Sequence, residues 1–564
     1  MRRWLRETHS QSFELLRHFV VRFFDSDLVT SREQWVTALI GAFSVLLPWF
    51  PILAQPLLHK YGLFSRMATP ERYWAALRAD ELWILTMMMS AVGVVTAVQW
   101  QSLFPGKRDY QALGWLPLRP YRIFTAKLGA LLLIITALVI TLNAFPALVF
   151  PAVSHSHWQY HPSMGAHIRV HAVVCAAACY FTFFALVALQ GVLLNVLPPR
   201  VFGRVTGYLQ GLLVALMLVL LVLSFSIQPR TVAALTRAEW WRWIPPVWFM
   251  GLYQVMLGDG GALMQALAQR AEWGLAAVVS VALLSYAVSY RRHRELLVEG
   301  SAGKSKDRRW AGVLLDWVNP DRRQQGVMVF MAKTLARNSQ HRTVLMGYLG
   351  FGLAVLLTGV LEMGNAVDAS RVTAARFVYA HVILLVFLLI GLRHLFSLPT
   401  EWKANWAFQL VEGQGRGEWL RAVDRFVLFW GGMVMLVIPL PLEVRLLGWL
   451  APGEAALFMM FALLCYEWLF SGWEKLPFTC SYLPGKTPGW ILVLEFLGLL
   501  GALPVVNGLL VACLYNGLAF GLVVAALTAI WWRVHKARTE GWEDLRLKYE
   551  EVPDPAVHGL NLMG

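Results

Sequence analysis

Ionisable side chains inside apolar stretches are rare, and Glu467, Glu495 and His381 are the candidates for a functional role. A carboxylate at the centre of a lipid-spanning helix costs about 2.5–3.5 kcal/mol on insertion scales. Each such group is therefore expected to face a helix-bundle interior, a partner side chain or water. Glu495, some way into its run, is the natural candidate for a transport role. Glu467 lies near the end of its run, where a rim charge explains it equally well, and His381 has a similar setting.

A second set is His155, His157, His161, His167 and His171. Imidazoles at this spacing could ligate zinc or copper. No Cys, Asp or Glu stands beside them to complete a site, so an uncharged polar loop accounts for them and no metal ligand is assigned. An HExxH string, which a membrane metalloprotease would carry in a span, is absent.

Two strings imitate a phosphate-binding loop. GSAGKS at Gly300–Ser305 has Val298 where the leading glycine belongs, and CSYLPGKT has Cys480 there. The leading glycine is needed for the backbone to wrap a phosphate. The chain is thus read as having no nucleotide site or cofactor of its own, and as no enzyme.

A different kind of signal runs from Phe104 to Leu128, FPGKRDYQALGWLPLRPYRIFTAKL. It is basic, turn-rich and too polar to span lipid, yet it lies between two long apolar runs. Lys107, Arg108 and Asp109 are polar, while Tyr110, Leu113 and Trp115 are knobs suited to a protein groove. Pro117 and Pro120 should stop a short helix before the next span begins near Arg122. A second segment, SLPTEWKANWAFQL from Ser397 to Leu410, again follows a span and again mixes charge with aromatics: Glu401, Trp402, Asn405, Trp406 and Phe408.

The elements that would position these residues follow from composition. The chain has 564 residues, 58% hydrophobic and 15% charged, against about 25% charged in soluble domains. A span needs about 20 mostly apolar residues. Twelve runs qualify, at 35–57, 82–103, 127–152, 170–196, 207–227, 271–290, 342–361, 374–396, 423–442, 455–473, 490–513 and 515–532. The expected fold is an all-α polytopic membrane protein of about 12 transmembrane helices in two six-helix halves, with interfacial and cytoplasmic coupling helices. Residues 1–290 form the first half, 291–326 a basic linker and 327–564 the second half.

The net charge of +15 gathers on one side if the runs alternate, as the positive-inside rule requires. This sets both termini in the cytoplasm and makes a nucleic-acid partner unnecessary. Ser12–Phe24 and Val327–Ala336 are amphipathic and suit the inner interface, in contact with membrane lipids or with protein. Between residues 228 and 270, four tryptophans surround Pro245-Pro246. Two short half-inserted helices joined at the prolines, or a plain aromatic belt, would explain them. The five cysteines form no CxxC pair.

The first polar segment resembles the coupling region of ABC-2 type exporter permeases. The matching positions are Phe104, Pro105, Arg108, Asp109, Tyr110, Leu113, Leu116 and Pro117, with Lys127 opening the third span. The second segment is similar to a P-x-E-x-x-ANW-x-F run found in some large permeases of this type. The resemblance implies a bacterial inner-membrane location and an ABC-type ATP-binding partner, in two copies, docked beneath both segments and carrying the ATP and magnesium. Accessory subunits are compatible with it. The implied coupling residues are Arg108, Asp109, Tyr110, Leu113, Trp115, Glu401, Trp402, Asn405, Trp406 and Phe408. An amphiphilic cargo (lipid, glycolipid, peptide or drug-like) fits a path between helices with a tryptophan-rich rim. An ion-coupled secondary transporter and a membrane-embedded lipid-modifying transferase are the other classes that such a chain could serve.

Overall fold

The computed structural model describes residues 11–20, 49–67, 69–104, 109, 113, 120–155, 163–229, 232, 239–298, 321–363, 369–398, 405–411, 416–479, 489–540, 542 and 547. The expected positions Arg108, Tyr110, Trp115, Glu401 and Trp402 lie outside these residues, as do His157, His161 and most of the first apolar run. Among the described residues every regular element is helical. The chain contacts divide into two units, 1–303 and 304–564, and the division falls inside the basic linker.

In the first unit, residues 11–20 form α1. It is followed by α2 (Trp49–Met67), α3 (Pro70–Val98), α4 (Pro120–Ser154), α5 (Met164–Val196), α6 (Pro199–Ser224), α7 (Pro245–Met256) and α8 (Ala262–Val298). Proline opens α3, α4, α6 and α7, where its missing N–H has no intrahelical partner to lose. Pro120 therefore begins the third long helix rather than ending a short one. The pair Pro245-Pro246 likewise starts α7, directly after a 3-10 turn at Glu239–Trp243.

Helix α3 is the axis of the unit, with 72% of its most apolar window buried. Around it Trp100, Tyr73, Tyr253, Phe150, Phe183 and Phe249 are fully enclosed. Helices α5 and α8 cross closely at Gly191, where a Cβ would strike Ser285. One turn on, Asn195 donates from Nδ2 to the Ser285 carbonyl at 3.0 Å and to Ser289 Oγ at 3.0 Å. Small residues that admit a close crossing, with a polar side chain bridging it, are how helices associate where lipid removes the hydrophobic drive.

The second unit contains α9 (Arg322–Arg337), α10 (Ser339–Glu362), α11 (Ala369–Phe396), α12 (Asn405–Val411), α13 (Arg416–Val427), α14 (Val434–Val437), α15 (Leu440–Leu447), α16 (Leu450–Leu469), α17 (Gly489–Leu514) and α18 (Gly517–Thr539). Between α13 and α14 the chain makes a wide π turn, Leu428–Met433. Asp321 and Asn338 cap α9 and α10 by accepting backbone N–H groups. Gly359 lets α10 meet Tyr379 of α11, whose ring leaves no room for a Cβ.

The chain is an all-α polytopic membrane protein. Nine described helices are long and apolar enough to cross a membrane, or ten if the bent pair Gly417–Val437 and Leu440–Leu447 counts as one span. Of the twelve expected spans, the first lies largely outside the described residues, and the eleventh is represented by the shorter apolar helix Gly501–Leu514. Lipid explains surfaces that water would not tolerate. None of the α18 window is buried, and Leu518, Leu522 and Trp532 stand open on it. Contiguous apolar faces of this extent are foreign to soluble monomers.

Candidate functional site

The first polar segment is anchored on its own unit. Asp109 and Leu113 are helical and buried. Leu113 packs in a cluster with Leu15 and Phe19 of α1 and Ile123, Ala126 and Ala130 at the start of α4. Arg122 donates to Gln11 Oε1 at 2.9 Å. The protein-facing side of α1 is thus Leu15 and Phe19, while Phe13 stays 63% exposed and is available to lipid.

The second segment has a comparable setting in its own unit. Trp406 on α12 is 62% exposed. Phe408 turns inward, its ring 5.1 Å from Phe330 of amphipathic α9 and 6.4 Å from Trp419 of α13. The buried face of α9 is Gln324, Val327, Met328 and Met331. Asn405 opens α12. In each unit, then, the segment after the polar break rests on an amphipathic helix and on the base of a longer helix.

The three intramembrane candidates have different surroundings. Glu467 is locked into a charge network that joins α13, α16 and α18. His535 Nδ1 meets Glu467 Oε1 at 2.6 Å, and Arg538 Nε meets Glu467 Oε2 at 2.5 Å. Arg538 Nη2 reaches Asp424 Oδ2 at 2.5 Å, and Tyr466 donates its hydroxyl to the same carboxylate. The guanidinium also lies over the rings of Tyr466 and Trp542. Such a group ties helix ends together. Glu495 belongs to α17, and its side chain lies outside the described residues.

His381 is buried in α11 between two carboxylates that the sequence reading did not select. Its Nδ1 is 2.7 Å from Glu454 Oε1 of α16, and its Nε2 is 3.2 Å from Glu443 Oε1 of α15. One potential ligand atom from each of the three residues lies within 4.8 Å of the others. The break in the bent span makes this possible. Pro439 turns the chain by 40°, and Gly448, at φ +58°, lets α16 start after a two-residue turn. That φ strains any residue with a Cβ.

The first unit holds its own buried polar group three turns into α3. Lys60 Nζ pairs with Asp80 at 2.7 Å, and Tyr61 donates to Asp80 Oδ2 at 2.7 Å. Glu81 accepts from Gln254 Nε2 of α7 at 2.5 Å. His167 and His171 are not in a loop: both are buried in the first turns of α5. His171 Nδ1 is 3.0 Å from Tyr253 Oη, and its Nε2 is 3.6 Å from Cys175 Sγ. These two imidazoles are core residues packed against Phe150 and Tyr253.

Comparison with protein-family models, with curated proteins and with solved structures gives no match for this chain. The functional reading rests on the residues themselves.

Proposed function

We propose that this chain is the membrane-spanning permease subunit of an ATP-driven exporter of the ABC-2 type, with hydrolysis carried out on a separate ATP-binding subunit. The observation that carries the reading is the packing of Leu113 with Phe19 and Ile123. A segment held this way can pass a displacement to the base of α4, because a packed cluster moves as a body rather than yielding. The inward Phe408 and outward Trp406 support the same role for the second segment. Trp406 is an exposed aromatic of the kind that anchors an interface. In this reading the segments, both termini and the linker face the cytoplasm of a bacterial inner membrane, and the cargo is amphiphilic.

The test is reconstitution. The chain, purified from cells that make it at native level, should bring an ATP-binding protein with it, and the pair should move an amphiphile in vesicles only with hydrolysable ATP. Transport by the chain alone, driven by an ion gradient, would defeat the proposal.

One observation favours that second reading. Secondary transporters build their sites from discontinuous helices, and the bent span α13 to α15 brings Glu443 against His381. Ion-driven uptake lost in Glu443→Gln would support it over the ATP-driven reading.

A further inference from the structure

We propose that His381, Glu443 and Glu454 form a binding site for one divalent transition-metal cation. The inference stands apart from the choice between ATP-driven and ion-driven transport. It begins from charge. With both carboxylates ionised and the imidazole neutral the group would carry two negative charges, and all three side chains are at most 6% exposed. Among the described residues no lysine or arginine pairs with either carboxylate. Both carboxylates contact His381 instead. Uncompensated charge in an apolar interior is among the most costly arrangements a protein can hold. One divalent cation would neutralise the group.

Hydrogen bonding leads to the same place. His381 is surrounded by acceptors: Glu454 Oε1 at Nδ1, Glu443 Oε1 at Nε2, and the backbone carbonyl of Met435. That carbonyl is four residues before Pro439, which has no N–H to return to it. A neutral imidazole has a single N–H, so at least one ring nitrogen presents its lone pair to an acceptor. Glu443 Oε2 and Glu454 Oε2 are buried and find no hydrogen-bond donor. Buried carboxylate oxygens gathered around one imidazole, with no lysine or arginine among them, are a donor set that suits a cation.

The dimensions fit as well. Metal–nitrogen and metal–oxygen bonds near 2.0–2.2 Å place two ligands of one ion at most about 4.4 Å apart. The potential ligand atoms here already lie within 4.8 Å of one another, so side-chain rotations of Glu443 and Glu454 could close them on one ion. A cavity of about 10 Å³, enough for one water-sized particle, adjoins the group and is lined by His381, Glu454, Phe458 and Leu510. It gives room for a water to complete the coordination. One nitrogen and carboxylate oxygens, with no thiolate, suit Mn²⁺, Fe²⁺, Co²⁺ or Zn²⁺ rather than Cu⁺.

The break supplies the means of loading. Glu443 rides on an eight-residue helix, Leu440–Leu447, set between Pro439 and Gly448. The π turn before it, Leu428–Met433, is a feature that recurs at functional sites.

The test uses the full chain in detergent, stripped with a chelator and then dialysed against Zn²⁺ or Co²⁺. The expected result is one Zn²⁺ retained per chain, with a Co²⁺ ligand-field spectrum of a mixed nitrogen and oxygen site. Glu443→Gln, Glu454→Gln and His381→Gln should each weaken binding at least about tenfold, while His167→Gln with His171→Gln should leave it unchanged. If the variants do not fold, X-ray absorption of the zinc-loaded wild type still decides. One imidazole with oxygen neighbours supports the site, whereas sulfur or several imidazoles overturns it. Wild type that takes up neither metal also overturns it, and the group then holds protons instead. Binding unaltered in well-folded Glu443→Gln and Glu454→Gln would overturn it equally.

Discussion

The ammonium of Lys127 lies 4.8 Å from the centre of the Phe19 ring, and both side chains are buried. Lys127 stands one turn after Ile123 at the start of α4, and Phe19 is on the inner face of α1. A desolvated cation over an aromatic face contributes about 2 kcal/mol, and apolar packing with Leu15 and Leu113 adds to it. The amphipathic helix is therefore a fitted part of the unit and does not merely float at the interface. The contact also gives a reason for a lysine at this place in the segment.

Phe19→Ala should release α1. Removing a buried Phe ring typically costs about 3–5 kcal/mol, more than one short helix can recover from its other contacts. Limited proteolysis should cut within residues 11–20 far faster than in wild type, while the spans keep their helical circular dichroism. Unchanged cleavage would mean that the docking of α1 does not depend on this ring.

Arg538→Ala should be one of the most destabilising single changes in the second unit. It removes the guanidinium that Asp424 and Glu467 share, and breaking a buried ion pair from one side costs about 3–5 kcal/mol. Adding Asp424→Asn and Glu467→Gln to Arg538→Met removes both carboxylate charges and should recover part of the loss in thermal unfolding of the solubilised protein. No recovery in the triple variant would show that packing, rather than charge, holds α13, α16 and α18 together.

Gly359→Val should disrupt the α10–α11 crossing, because Tyr379 occupies the space that the new side chain requires. Overpacking of this kind costs about 1–3 kcal/mol. Gly203→Ala, on α6, where nothing lies within 4 Å of the added carbon, should be close to neutral. The two melting temperatures, measured side by side, check the pair.

The purified chain should neither bind nor hydrolyse ATP, since Val298 and Cys480 replace the glycine a phosphate loop needs. A binding assay with labelled ATP checks this. Saturable binding lost in Lys304→Ala or Lys486→Ala would locate a site that the sequence pattern missed.

The spans were legible in the sequence because lipid demands long apolar runs, and eleven of the twelve expected runs have described helices over most of their length. What was not legible is the set of buried charges. A charged residue at the edge of an apolar run lowers its hydropathy, so the pattern assigns that residue to the flanking loop. Glu443 follows the run 423–442 by one position and Glu454 precedes 455–473 by one. Asp80 and Glu81 stand just before 82–103. Each is at the margin of its run and each is buried, because the helices continue past the apolar stretch. His381, inside its run, could be noticed, but its partners depend on the bend at Pro439 and the turn at Gly448. His167 falls outside the apolar run 170–196 for the same reason, since α5 begins at Met164, while His171 lies just inside that run. For the coupling segments, the sequence carried residue types and proline punctuation. The amphipathic helices they rest on are nearly a hundred residues away in the first unit, and no local pattern could pair them.

The central claim is that a separate ATPase docks on the two polar segments, and photo-crosslinking tests it most directly. A photoreactive amino acid at position 406, exposed on α12, and one at position 110 in the first segment should each give an adduct in intact membranes. The account predicts that the adduct at both positions contains a protein with a complete phosphate-binding loop. It also predicts that Trp406→Ala with Phe408→Ala loosens that protein by on the order of 2 kcal/mol or more and abolishes ATP-stimulated transport. Transport that continues while neither position captures an ATP-binding protein would contradict the account.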